Sequence, residues 1–226
     1  QIPALARNAR VIAWDYRGHG RSSLPADLEA SGVEDHARDL LCLLDHLGLE
    51  RAVLVGHSMG VQVILETFLR APTRVAALIP IAGTYGRPYR TFYDTDVMEW
   101  FYDPMLRWAR DHHEPLELVA RLIARTPLPQ LLARTGAVHW YLAPWDAMHR
   151  YFEHFFSLDM QFALTAMRKL GAHSAEEALE RIDLPTLIIA GARDPMTPLH
   201  VSEEMHRRIA GSELLAIRTG THVPQI

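Results

Sequence analysis

Short, continuously apolar runs recur along the chain at residues 11–14, 52–55, 75–81, 187–190 and 214–217, each bounded by turn-forming residues. Runs of this length, rich in Val, Ile and Leu and lacking polar alternation, predict strands buried on both faces. Between them the spacing changes to that of helices. Ala37, Leu40, Leu41, Leu44 and Leu47 fall on one helical face, and Gly48 is placed to stop that helix in a left-handed conformation. A second helix is expected from Ser58 to just before Pro72. A third is expected to open at Thr197-Pro198, with threonine as N-cap and proline at the first helical position, and to run to Gly211. Strands alternating with helices in this way predict an α/β fold, a mostly parallel sheet with helices on both faces.

The rhythm breaks between about Gly83 and Leu184. That stretch holds no strand pattern but several helical ones. Pro115 opens one, with Leu118, Val119, Leu122 and Ile123 on a face. Another runs from Trp145 towards Gly171, and Ser174 with Glu177 has the spacing of a capping box. The segment therefore reads as a helical insertion between two strands, a lid over the sheet. Trp100, Trp108, Trp140 and Trp145 fall in it, four of the chain's five tryptophans. So do Phe92, Tyr93, Phe101, Tyr102, Tyr141, Tyr151, Phe152, Phe155 and Phe156. Most should pack the lid helices together, and a cover this aromatic also favours an apolar substrate.

Composition narrows the picture further. The chain has 226 residues, 49% hydrophobic and 22% charged, enough for one large domain with its own core. A net charge of -4 gives no basic footprint for nucleic acid. No apolar run is long enough for a membrane span, and no signal-peptide pattern opens the chain. Cys42 is the single cysteine, so no internal disulfide forms; among leucines it reads as a buried structural thiol, and cytoplasm is the expected location.

The sharpest chemical signal is Gly56-His57-Ser58-Met59-Gly60, directly after one apolar run and at the start of a helical one. A strand that turns at once into a helix lifts a serine to the apex of a strained turn, and the flanking glycines relieve collisions between strand and helix. The helix N-terminus there favours developing negative charge, and the Met59 N–H points where an oxyanion would form. A serine hydroxyl needs a base, and the base an orienting acid. Asp194 follows the 187–190 strand and His222 follows the 214–217 strand, both at C-terminal strand ends, where ligand sites form in open α/β sheets. His57 lies beside the serine but cannot reach round to its hydroxyl as base. His112 and His113 lack metal-ligand spacing. No metal or cofactor site is expected.

With these residues in order, the chain resembles the α/β-hydrolase superfamily, and within it the serine esterase and lipase-like branch with a helical cap. The resemblance rests on Asp15-Tyr16-Arg17-Gly18-His19-Gly20-Arg21-Ser22, Gly56-His57-Ser58-Met59-Gly60, Gly191-Ala192-Arg193-Asp194 with Thr197-Pro198, and Gly220-Thr221-His222-Val223-Pro224. It implies a triad of Ser58, Asp194 and His222, with residues 15–22 as a supporting turn. Serine at position 58 separates the chain from relatives with an aspartate nucleophile, and Ala82-Gly83-Thr84-Tyr85 offers no alternative acid after the preceding strand. The implied organisation is a core of residues 1–83 and 185–226 around a cap of residues 84–184. Compared with the family, the chain is expected to be shortened at both ends. Its second oxyanion donor would then lie upstream of Gln1, and the chain by itself would be a poor catalyst.

The implied reaction is hydrolysis of small apolar esters through an acyl-enzyme. Lactone, thioester or carbon–carbon bond hydrolysis and cofactor-free perhydrolysis remain open on the same residues. So does a non-catalytic ligand-binding role, and oligomeric state is not legible.

Overall fold

Four of the five apolar runs assemble into one sheet, seen in a computed structural model that describes residues 2–92, 95, 97–124, 126–128, 131, 153–154 and 156–224. After a single turn, α1 (Ile2–Leu5), come α2 (Val33–His46), β1 (Ala52–His57), α3 (Met59–Arg70) and β2 (Val75–Ile81). Helices α4 (Val97–Asp111), α5 (His113–Ala124) and α6 (Met160–Ala172) follow, then β3 (Leu187–Gly191), α7 (Leu199–Arg208) and β4 (Glu213–Ile217). The four strands are parallel in the order β1-β2-β3-β4. Every strand therefore points its C-terminal end to the same edge, which is where the candidate site lies.

The core forms where helix stripes meet the sheet. Leu40 and Leu44 of α2 and Val61, Ile64, Leu65 and Phe68 of α3 close over Leu54, Leu78 and Ile188. Met205 and Ile209, at the end of α7, continue the same cluster. Leu65, Leu78 and Ile188 are completely buried, each stabilising the fold by roughly 1.5–3 kcal/mol relative to exposure. On the other face of the sheet Val53, Val55 and Leu215 stay half-exposed.

Several local expectations are corrected. Residues 11–14 form no strand: a strand persists through its ladder, and no described strand lies beside them. Ile12 and Trp14 are each 36% exposed. Cys42 is exposed, because it lies two residues from Leu40 and Leu44 and so points away from the buried stripe of α2. Helix α7 starts one residue late, with Pro198 at its N-cap. The 176–181 segment is a 3₁₀ helix capped at Ala175, and Ser174 Oγ accepts from the Glu176 N–H at 3.4 Å, with no reciprocal bond from Glu177. Helix α6 begins at Met160, where Asp159 accepts the Phe162 N–H at 2.9 Å, and residues 145–152 lie outside the described set.

Between β2 and β3 the described residues contain helices and no strand. The two ends of this segment are drawn together by the Gly86–Ser174 bridge and by the Arg87 N–H donating to the His173 carbonyl at 2.8 Å. Below that neck the buried His173 ring meets Gln62 Oε1 at 2.6 Å and Glu66 Oε2 at 3.1 Å, fastening the segment to α3. The hydrogen bond with His173, aided by Arg70, holds the Glu66 carboxyl below the usual glutamate range against the opposing effect of burial. The expected packing of the lid aromatics is only partly seen. Trp100, Phe101 and Trp108 face solvent at 81%, 65% and 56% exposure, and so do Leu118, Val119 and Leu122 of α5. Tyr102 stacks on Tyr89 at 4.0 Å. Tyr93, Trp140, Tyr141, Trp145, Tyr151, Phe152 and Phe155 lie outside the described residues.

Candidate active site

Ser58 sits between β1 and α3 with φ 56° and ψ -118°, a positive φ that a side-chain-bearing residue adopts only under constraint. Its N–H donates to the Ile81 carbonyl at 3.0 Å, and its carbonyl accepts from Val61 at 3.0 Å. The flanking glycines behave differently from one another. A Cβ on Gly56 would lie 2.2 Å from the Gly60 carbonyl oxygen, so no other residue fits there. A Cβ on Gly60 would meet the Tyr16 hydroxyl at 3.5 Å, an ordinary contact, so steric exclusion holds for Gly56 and not for Gly60. Gly83 was missed as a site residue: a Cβ there would come within 2.5 Å of the Ser58 carbonyl oxygen. Met59 opens α3, so its N–H is among the first-turn donors without an intrahelical acceptor.

His222 reaches the serine from the loop after β4. Its Nε2 lies 2.9 Å from Ser58 Oγ and its Nδ1 2.9 Å from Asp194 Oδ2. Backbone bonds bring the two loops together: Ala192 N–H donates to Ile217 and Arg193 N–H to Gly220, at 3.0 and 2.9 Å. Gly191 is required for this approach, since a Cβ would lie 2.2 Å from the Thr221 carbonyl oxygen. All three side chains named from the sequence thus meet in one hydrogen-bonded chain at the C-terminal edge of the sheet.

Asp194 is held more firmly than the sequence implied. Its Oδ1 accepts the Met196 and Thr197 N–H groups at 2.8 and 3.1 Å, and its Oδ2 accepts the Thr197 hydroxyl at 2.5 Å as well as His222. Burial alone would raise the carboxyl's pKa. The hydrogen bond and charge of His222, with the Thr197 bonds, outweigh burial and hold it below the usual aspartate range. Threonine's place in the Asp194 turn explains why it does not cap α7. The signal available in the sequence was an Asp followed three residues later by Thr, which also fits an N-cap.

The 15–22 segment forms a tight turn next to this site. Asp15 Oδ2 accepts the Arg21 N–H at 3.1 Å, and Arg17 pairs with Asp39 at 2.7 Å through Nε. Gly18 and Gly20 take φ 73° and 54°. Among the described residues no group of three or more His, Cys, Asp or Glu is arranged to hold a metal ion, and no helix is long and apolar enough to cross a membrane.

Known proteins share this arrangement of chain. The 2-hydroxymuconate semialdehyde hydrolase of Pseudomonas sp. strain CF600 is 30% identical over 229 residues, covering 100% of this chain and 74% of that protein. A hydrolase from Pseudomonas aeruginosa PA01 superposes with a TM-score of 0.73 at 27% identity, covering 99% of this chain and 78% of that one. The enol-lactonase from Burkholderia xenovorans LB400 superposes with a TM-score of 0.77 over 100% of this chain and 78% of its own, at 23% identity. Hydrolysis is thereby supported as the class of activity. The family described as the alpha/beta hydrolase fold matches residues 1–226, and the chain belongs to it.

Proposed function

We propose that the chain is a serine hydrolase that cleaves carboxylic ester bonds of small apolar substrates through an acyl-enzyme. Ser58 is the nucleophile, His222 the general base and then acid, Asp194 the orienting carboxylate and the Met59 N–H an oxyanion donor. Residues 84–184 form the cap over the site, and the reaction needs no cofactor. The observation that carries the reading is the continuous bond chain from Ser58 Oγ through His222 to Asp194, 2.9 Å at each link. As Oγ attacks the carbonyl, His222 Nε2 takes its proton, then gives it to the leaving alcohol. Asp194 fixes the ring with its Nδ1 hydrogen inward, so that Nε2 is the nitrogen left to accept, and steadies the imidazolium that forms. Water then repeats the sequence on the acyl group. A buried carboxyl held below its usual pKa stays ionised for this task throughout the neutral range.

A fluorophosphonate probe should label Ser58, and Ser58→Ala should abolish labelling and lower ester turnover by roughly 10⁴–10⁶-fold. Most of the activity surviving that substitution would overturn the assignment. A second reading, hydrolysis of a semialdehyde substrate on the same residues, is favoured by the 30% identity to the semialdehyde hydrolase over the whole chain. Turnover of 2-hydroxymuconate semialdehyde ahead of a panel of p-nitrophenyl esters and lactones would select it. A ligand-binding role without turnover predicts no labelling at Ser58.

A further inference from the structure

His57 immediately precedes Ser58 at the end of β1, yet its ring turns away from the serine and towards the loop that carries His222. Its Nε2 lies 2.6 Å from the His222 carbonyl oxygen, a contact that joins residues 165 positions apart in the chain. A carbonyl only accepts, so Nε2 must carry the hydrogen. Burial pushes the ring's pKa below the ordinary histidine value, ahead of the opposing effect of the bond itself. The ring is therefore neutral, and its bare nitrogen is Nδ1.

Among the described residues the 220–224 loop has few other anchors of this kind. Gly220 is tied by its N–H to Ile217 and by its carbonyl to Arg193, both at 2.9 Å. Those bonds fix the start of the loop, two residues before the catalytic ring. At His222 itself, the side chain bonds to Asp194 and Ser58, while the backbone carbonyl is met by His57. The two imidazoles lie with centroids 5.2 Å apart and planes 48° apart. A neutral ring at that distance supports His222 without opposing the positive charge it acquires when it takes the serine proton.

We infer that His57 is a positioning residue for His222: its Nε2–H bond to the His222 carbonyl fixes the base's backbone, so that Nε2 of His222 stays in line with Ser58 Oγ. The inference rests on the Ser58–His222–Asp194 reading for its catalytic meaning, and on geometry alone for the anchoring. The link crosses the sheet edge from β1 to the loop after β4, so it ties the nucleophile's strand directly to the base's loop. A misplacement of about 1 Å at a catalytic base costs on the order of 10²-fold in rate, which is the scale at stake.

The test is a pair of variants of equal length, one with a donor and one without. His57→Met should lower kcat for p-nitrophenyl butyrate by about 10–100-fold with KM little changed, and should speed amide hydrogen exchange across 220–224. His57→Gln places an amide N–H near the Nε2 position and should recover kcat to within about five-fold of the parent, with slow exchange restored. Should His57→Met not fold, His57→Phe keeps the ring's bulk without the donor and is held to the same expectations. Parental kcat and parental loop exchange in the donor-less variant would overturn the inference. So would a glutamine variant as impaired as the methionine one. If the parent fails to label with fluorophosphonate, the catalytic reading falls, while loop exchange in the same variants still decides whether His57 anchors the loop.

Discussion

A positive-φ backbone at Ser58 costs on the order of 1–3 kcal/mol, and the bonds from Ser58 to Ile81 and Val61 are what hold it. The return is a side chain lifted clear of its own strand and within 2.9 Å of His222. A second residue, outside the reacting groups, makes stability depend on pH. His36 is completely buried on α2, its ring 4.5 Å from that of Tyr16, and neither ring nitrogen meets a hydrogen-bond partner among the described residues. Burial, with the nearby charges of His19 and Arg17, pushes its pKa down to about 4. The unfolded chain takes up this proton near pH 6.5, whereas the folded chain takes it up only near pH 4. Stability is therefore full above pH 6.5 and falls as pH drops through the window between the two values, by about 3 kcal/mol in all. His36→Phe keeps the stack on Tyr16 and removes the titrating group. Urea melts from pH 7 to 4 should show a shallower acid loss in this variant than in the parent; parallel curves would clear His36 of the effect.

Among the elements, α6 shows how the helical segment is fixed to the sheet-bearing core. Phe162 is completely buried, and its ring occupies the space that a Cβ on Gly18 would need, 2.4 Å away. His19 packs edge-on at 5.6 Å, Arg168 reaches Glu29 at 2.8 Å, and the Tyr89 hydroxyl donates to the Met167 carbonyl at 2.8 Å. Exposed ion pairs such as Arg168–Glu29 contribute at most about 1 kcal/mol, so the aromatic contact dominates. Phe162→Ala should cost about 3–5 kcal/mol in chemical denaturation, and Arg168→Ala under 1 kcal/mol. The reverse order would show that the ion pair, and not the ring, seats this helix.

At the scale of the whole chain, the described residues cover the sheet unevenly. One face carries the core of α2, α3 and α7, while Val53, Val55 and Leu215 on the other are 53%, 52% and 50% exposed. An apolar strip of this kind on a parallel sheet should bind a fluorescent apolar dye in the folded chain. Val53→Thr with Val55→Thr keeps the β-branched shape and should lower that binding; unchanged dye fluorescence would place the exposed surface elsewhere. The sheet, α2, α3 and the order of Ser58, Asp194 and His222 were legible in the sequence, because hydrophobic period, glycine position and strand-end placement are local properties of the chain. Residues 11–14 were not, since an apolar run becomes a strand only beside a partner, and pairing is a non-local event. The exposure of Cys42, the capture of Thr197 by Asp194 and the contact of His57 with His222 were likewise settled by which elements lie next to each other. Local pattern alone determined where most strands and helices could form and which residues could do chemistry. Tertiary structure decided which of those groups touch, because a hydrogen bond between residues 165 positions apart depends on the path of the whole fold.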